Sequence, residues 1–418
     1  MTAPPNAPAR VLGASLVGTA VEFYDFYIYA TAVALVFGPL FFPSDQPGLD
    51  QLLSYASFSV AFFARPLGAV AFGHFGDKVG RKSTLVASLL IMGLSTFAIA
   101  FLPTYALIGW GAPVLLCLLR FGQGFGLGGE WGGAALLAVE NAPEGKRARY
   151  GMFPQLGAPI GFIASNGLFL LLGLWLSDAE FVEWGWRLPF LGSALLVGVG
   201  LWVRLKLTET PAFAEALAHE APPNVPFAAL MRGHWREVLC GTLAAIACFA
   251  IFYLTTAFAL GYGTKTLGIP RETFLQYQLI AILFLAAGIL VSGVLSDRYS
   301  ARLVLMTGCG LTIAVALSIA PLLGGGAGEI ILFLSAALFA MGLVYGPLGA
   351  WLPSLFPPLV RYSGASVAFN MAGVLGGGPP PLLAQSLADR YGLAAVGYYL
   401  AACAAASLIG LLSLRAAK

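Results

Sequence analysis

Five ionisable residues stand inside otherwise apolar stretches of the chain: Glu22, Asp25, Arg65, Arg120 and Glu130. Charge in a hydrocarbon layer is expensive, and it persists where it pairs, carries a proton or lines a solute path. Glu22 and Asp25 are three apart and Tyr29 follows Asp25 by four, so on a helix all three share one face. Two carboxylates this close in a poorly hydrated site cannot both ionise easily, and one keeps its proton near neutral pH. A carboxyl that gains and loses a proton as a cavity opens to each side is what a proton-coupled carrier needs. Asp25, Glu22 and Glu130 are the candidates; the plainer reading has an acid capping a neighbour or sitting in a wet vestibule. The arginines either neutralise these acids or anchor a substrate carboxylate, whose two oxygens match the guanidinium fork.

Depth suggests partners. At a rise of 1.5 Å per residue, Asp25 lies roughly 21 Å from the inner end of its span and Arg120 roughly 10 Å from the outer end. In a core of about 30 Å these heights coincide. Arg65 and Glu130 share a lower level, so Asp25–Arg120 and Arg65–Glu130 are the predicted pairs. Uncharged polar groups inside spans are Tyr24, Tyr27, Gln155, Asn166, Tyr253, Gln278, Tyr345 and Asn370. Tyr253 stands out because it lies mid-span in a half whose span interiors carry no charge. Each of these alone is more often a packing or interfacial residue. Metal and triad chemistry have no support: His74, His219 and His234 sit near no nucleophile or ligand cluster. The five cysteines, Cys117, Cys240, Cys248, Cys309 and Cys403, lie in apolar runs without zinc or disulfide spacing.

The elements that position these residues must be membrane helices. Of 418 residues 59% are hydrophobic and 10% charged, against about 25% charged in soluble domains. A net charge of +3 gives no footing for nucleic acid. Apolar runs long enough to span a bilayer fall near 11–41, 51–74, 83–102, 113–139, 150–176 and 187–205, then near 237–262, 274–295, 302–323, 329–355, 362–386 and 391–414. The first exceeds the apolar core of a secretory signal, so no cleavable signal is expected. Between the two sets lies a polar stretch, 206–236, in which Pro211 to His219 reads as a short amphipathic helix opened by Thr210 and a first-turn proline. With both termini cytoplasmic, sixteen of the 22 lysines and arginines fall on the cytoplasmic side. The outer loops hold only Arg187, Lys265, Arg271 and Arg390, as the positive-inside rule requires.

Two tempting signals are discounted. Gly124-Phe-Gly126-Leu-Gly128-Gly129 satisfies G-x-G-x-x-G but lies within a span, where small residues serve close helix packing. The run Gly376-Gly-Gly-Pro379-Pro-Pro381 cannot continue an ideal helix and predicts a bend, either a hinge for alternating access or a plain kink.

The chain repeats itself. The loop Gly73-x-x-x-Asp77-Lys78-x-Gly80-Arg81-Lys82 returns 220 residues later as Gly293-x-x-x-Asp297-Arg298. Arg149-Tyr150-Gly151 returns 212 later as Arg361-Tyr362-Ser363-Gly364. Six-span halves around a midplane cavity are a common transporter plan. The first loop resembles the signature of the major facilitator superfamily. The segments Val21-Glu22-Phe23-Tyr24-Asp25-Phe26, Ala64-Arg65-Pro66-Leu67-Gly68, Gly128-Gly129-Glu130-Trp131-Gly132-Gly133 and Phe153-Pro154-Gln155-Leu156-Gly157-Ala158-Pro159 resemble its metabolite:proton symporter family. Members carry organic acids or zwitterions such as proline and betaine. Arg120-Phe-Gly-Gln123-Gly124 resembles a fourth-span motif of proton-driven members. The resemblance implies that Asp77 closes the cytoplasmic side against the second half, near the start of span eleven, and that Arg81 pairs with Glu140. Asp297 occupies the matching place in the second loop, which departs from the pattern at Ser296, Ser300 and Ala301.

The resulting expectation is an all-α integral membrane protein with twelve transmembrane helices in two pseudo-symmetric six-helix bundles. Residues 1–205 form the first bundle, 206–236 a cytoplasmic linker and 237–418 the second. The expected function is proton-coupled import of a small organic acid or zwitterion by alternating access, in an inner membrane. The alternatives are a proton-coupled antiporter exporting a metabolite or drug and, with less support, a membrane sensor or enzyme. Substrate contacts are expected from Arg120, Arg65, Gln155 (in a motif segment), Tyr253, Tyr29, Tyr27 and Asn370, and cytoplasmic gating from Asp77, Arg81, Glu140 and Asp297. The partners are lipid, proton and a carboxylate-bearing metabolite, with no other cofactor and no nucleic acid, and the protein is expected to act as a monomer.

Overall fold

Every regular element among the described residues of the computed structural model is helical. The structure describes residues 8–46, 48–79, 81–205, 226–357 and 360–413, with side chains for all of these except 8–11, 73–79, 81–85, 203–205, 226–227 and 229. The predicted helix from Pro211 to His219 therefore lies outside the described residues. Twelve long helical segments are present among the described residues: α1 (8–41), α2 (Leu49–Val79), α3 (Arg81–Ile99), α4 (111–140), α5 (147–175), α6 (Arg187–Leu205), α7 (235–265), α8 (Arg271–Arg298), α9 (301–323), α10 (327–354), α11 (361–391) and α12 (Leu393–Ser413). Among the described residues, seven helices meet length and hydropathy criteria for a span outright, and α6 does so together with the short bent helix before it. Others are interrupted by glycine, proline or a turn, as where α4 breaks at Gly128–Glu130 and α11 at Gly377–Gly378. The α11 break falls in the Gly-Gly-Gly-Pro-Pro-Pro run, with prolines opening the next helix where their missing N–H groups cost nothing.

Contacts reproduce the sequence repeat. In the first six helices α1 packs on α5 and α6, α2 on α4, and α3 on α4 and α6. In the second six α7 packs on α11 and α12, α8 on α10, and α9 on α10 and α12. The halves then meet through α2 with α11 and α5 with α8, again equivalent pairs.

Small residues set the closest approaches, because packing and hydrogen bonds rather than water exclusion drive helix association in lipid. A Cβ on Gly128 would lie 2.0 Å from the Arg65 carbonyl oxygen, and one on Gly68 1.9 Å from that of Phe125. Gly288, 220 residues after Gly68, meets α10 in the same way, 2.5 Å from the Phe339 carbonyl oxygen. The G-x-G-x-x-G run is thus a packing surface, and it presses α4 onto the turn of α2 that carries Arg65.

The first helix of each half contains one π-turn, Val33–Phe37 in α1 and Leu254–Phe258 in α7, offset by 221 residues. A π-turn widens the helix and frees carbonyls, and the neighbouring helix satisfies them. Gln51 and Ser54 of α2 donate to the Val33 carbonyl at 3.2 and 3.0 Å. Gln278 of α8 donates to the Thr255 and Thr256 carbonyls at 3.1 and 2.8 Å.

Candidate functional site

The ionisable residues of the first half are gathered near the interface between the halves, but not in the pairs that depth alone predicts. Arg120 is fully buried. Its guanidinium carbon lies 4.1 to 4.9 Å from the ring centres of Tyr29, Phe26 and Phe58, and one terminal nitrogen donates to Gln123. Its Nε and second terminal nitrogen have no hydrogen-bond partner. Among the described residues Arg120 forms no ion pair with Asp25, correcting the predicted pairing. Gln123, one turn along α4, takes that place: its Nε2 donates 2.9 Å to the Asp25 backbone carbonyl and 2.9 Å to the Thr96 hydroxyl.

Asp25 is also fully buried, and neither carboxylate oxygen completes a hydrogen bond. Its polar neighbours are the hydroxyls of Thr96 and Ser193. Thr96 already donates to the Met92 carbonyl at 2.9 Å, and the Ser193 hydroxyl lacks a partner of its own. Asp25 therefore faces the inside of the first bundle, toward α3 and α6. Glu130 lies within electrostatic reach of it and accepts from Ser88 at 3.0 Å.

Arg65 also lies near Phe26 and reaches the second half. Its Nε donates 2.9 Å to the Asn370 side chain of α11, and four phenylalanine rings surround the guanidinium at 5.6 to 5.9 Å. No Arg65–Glu130 ion pair exists among the described residues, so that prediction is corrected too. The acid within electrostatic reach of Arg65 is Glu22, with Tyr27, Tyr253 and Tyr345 beside it. Glu22 and Asp25 thus look in different directions despite their spacing of three, since such neighbours are turned by about 60° around a helix of 3.6 residues per turn.

A cavity lies between the halves, lined by Arg65, Phe26, Tyr27, Tyr253, Tyr345 and Phe369 among others. It leaves about 20 Å³ for water centres, enough for one or two waters. A second, smaller cavity shares Tyr27 with it, and Thr31, Asn166, Thr256 and Gln278 are among its lining residues. Of the predicted contacts, Arg65, Tyr27 and Tyr253 line the central cavity, and Asn370 positions Arg65. Tyr29 supports Arg120 and bonds Ser57 at 2.9 Å instead. Gln155 accepts from Trp131 at 3.3 Å and donates weakly, at 3.4 Å, to the Tyr345 carbonyl.

Both ends of the interface are closed. At the end where α1 begins and α12 finishes, Asp297 accepts from the Ala148 and Arg149 backbone N–H groups at 2.8 and 3.2 Å and pairs with Arg149 Nε at 3.4 Å. The carboxylate thereby satisfies the free donors and dipole that open α5. Trp131 stacks on Phe369 at 3.7 Å, and Tyr362 donates to the Gly129 carbonyl. At the far end Tyr55 donates to the Ala257 carbonyl at 3.1 Å, Ser59 to that of Gly378 at 2.7 Å, and Arg271 pairs with Asp178 at 3.1 Å. The site is therefore occluded. The side chains of Asp77 and Arg81 lie outside the described residues, while Glu140 is exposed at the end of α4.

A cavity sealed at both ends between two equivalent six-helix bundles suits a carrier. The Major Facilitator Superfamily model matches residues 15–379. The chain belongs to the major facilitator superfamily. The inner membrane metabolite transport protein YhjE of Escherichia coli (strain K12) is 50% identical over 415 residues, 98% of this chain and 94% of the relative. The shikimate transporter of the same organism is 38% identical over 406 residues, 95% and 92% of the two chains. In fold, the chain is similar to the partially occluded inward-open xylose transporter XylE from E. coli, with a TM-score of 0.76 at 15% identity over 97% and 96% of the two chains. This superfamily member is a multi-pass membrane transporter and not an enzyme.

Sequence reasoning missed the aromatic box around the arginines and the hydroxyls of Ser88, Thr96 and Ser193. A polar residue in an apolar span is the signal that marks the hydroxyls. Gln123 was visible within a motif, but nothing in the motif says which carbonyl it meets.

Proposed function

We propose that the protein is a proton-coupled symporter that imports a small carboxylate-bearing metabolite by alternating access. The observation that carries this reading is the central cavity walled by aromatic rings and served by one arginine, Arg65. A second buried arginine and the acids Glu22, Asp25 and Glu130 lie close behind it. An arginine whose faces are covered by rings has its edge left for hydrogen bonding, which suits the two oxygens of a carboxylate. Asp25 is the proton carrier in this account. Ionising it in the occluded form would bury a charge without a counter-ion, which costs several kcal/mol. The proton thus travels with the closed carrier and leaves when water reaches the pocket.

The relatives' printed roles, metabolite and shikimate transport, support the substrate class. The excess of lysine and arginine in the loops on the terminal side supports cytoplasmic termini, and the name of YhjE supports the inner membrane. Residues 1–205 and 237–418 act as the two moving bodies. The path lies within one chain, so a monomer suffices, and the proton is its only coupling agent.

Purified protein in liposomes tests the reading. An acidic exterior should drive accumulation of labelled shikimate at least about tenfold above that in liposomes without a gradient, since one pH unit coupled one to one is worth 1.4 kcal/mol. Accumulation driven instead by an acidic interior would make it an antiporter.

A further inference from the structure

The smaller cavity that shares Tyr27 is lined in part by an amide pair, Asn166 and Gln278, whose orientation the surrounding hydrogen bonds settle. Gln278 of α8 spends its Nε2 on the Thr255 and Thr256 carbonyls at the α7 π-turn, so its Oε1 must face α5. Asn166 of α5 accepts through Oδ1 from the Thr31 hydroxyl at 2.7 Å, which turns its Nδ2 toward Gln278. The two amides meet at 3.3 Å, Asn166 donating and Gln278 accepting, and both are buried. One belongs to the first half and one to the second. When the halves part, each must lose the other, and each is left as a buried polar group that needs a partner.

We propose that Asn166 and Gln278 form a hydroxyl-reading pair, and that the transported solute is a hydroxylated monocarboxylate rather than a zwitterion. The chemistry is selective. A group inserted between these amides must accept a hydrogen bond from Asn166 and donate one to Gln278. A hydroxyl does both; a carboxylate only accepts, a protonated amine only donates, and a quaternary ammonium does neither. Tyr27 lines both cavities, so a solute whose carboxylate meets Arg65 extends past Tyr27 to the amides. No carboxylate lines either cavity among the described residues, which leaves an ammonium without a matching acid there. A site built to bond a hydroxyl discriminates strongly against an analogue that lacks it, because its amides are then left unpaired. The carboxylate end of this proposal rests on the symport reading above.

Affinities of the purified full chain for four probes provide the test: shikimate, quinate, cyclohex-1-ene-1-carboxylate and glycine betaine. The first two offer a ring, a carboxylate and hydroxyls; the third offers the same kind of ring and carboxylate without them. At least one hydroxy acid should bind about tenfold or more tightly than cyclohexenecarboxylate, and betaine should not compete. In Asn166→Leu that preference should disappear, with cyclohexenecarboxylate binding kept within about threefold. Equal binding of hydroxylated and unhydroxylated acids overturns the pair while leaving the carboxylate reading intact. Loss of both acids together in Asn166→Leu, with the protein still folded, also overturns it. Binding of betaine alone overturns both. If Asn166→Leu does not fold, the wild-type comparison of the acids decides the matter by itself.

Discussion

Asp25→Asn should abolish proton-driven accumulation of solute while leaving solute exchange across the liposome membrane within about threefold of wild type. The carboxamide matches the carboxyl in shape, and neither Asp25 oxygen holds a hydrogen bond that the substitution would break. The helix packing around it, through the Gln123 bond to the Asp25 backbone, is also untouched. What is lost is the ability to release a proton. In the wild type, water reaching this pocket permits ionisation, and closure then requires a proton to return, because a carboxylate buried between Thr96 and Ser193 would have no cation to meet it. A carrier that is permanently neutral at this position closes at any pH, with or without solute, and so moves solute only down its gradient. Uptake with an acidic exterior, compared with exchange at equal pH on both sides, separates the two functions. Full accumulation in Asp25→Asn would remove this residue from the coupling.

Arg65→Gln should weaken solute binding by about a hundredfold, equivalent to some 2.7 kcal/mol, without comparable loss of thermal stability. The glutamine can still reach the Asn370 amide, but it lacks the charge and the second edge that a carboxylate requires. Arg65→Lys should recover little of this. A lysine ammonium is a strongly hydrated point charge, and the four rings at 5.6 to 5.9 Å form a slot shaped for a planar guanidinium. Titration calorimetry on the purified variants would measure the effect. Unchanged affinity in Arg65→Gln would mean that Arg65 neutralises Glu22 and takes no part in binding.

The number and limits of the helices were legible because a hydrocarbon layer imposes a length on every apolar run. The breaks announced by glycine and proline were legible for the same reason, as at Gly376–Pro381. Height was legible as well. Asp25 and the Arg120 turn of α4 do approach each other, through Gln123. The direction in which each side chain points was not. Helices that are apolar on all sides give no polar face from which rotation could be read, so Arg120 turned to the aromatic rings and Glu130 to Ser88 without any trace in the residue order. The π-turns at Val33–Phe37 and Leu254–Phe258 were invisible too. No residue in VALVF or LTTAF marks them, and the carbonyls they free are met by Gln51, Ser54 and Gln278 of neighbouring helices. Thus charge and polarity inside apolar spans brought out the residues of the site, whereas their partners emerged only from packing.

Coupling of proton to solute is the claim on which the rest depends, and pH recording in liposomes without any imposed gradient measures it directly. Adding shikimate to a lightly buffered suspension should make the medium more alkaline as solute and protons enter together, and Asp25→Asn should show solute entry with no such change. Entry of solute into wild-type liposomes at constant external pH, or with acidification, would contradict the account.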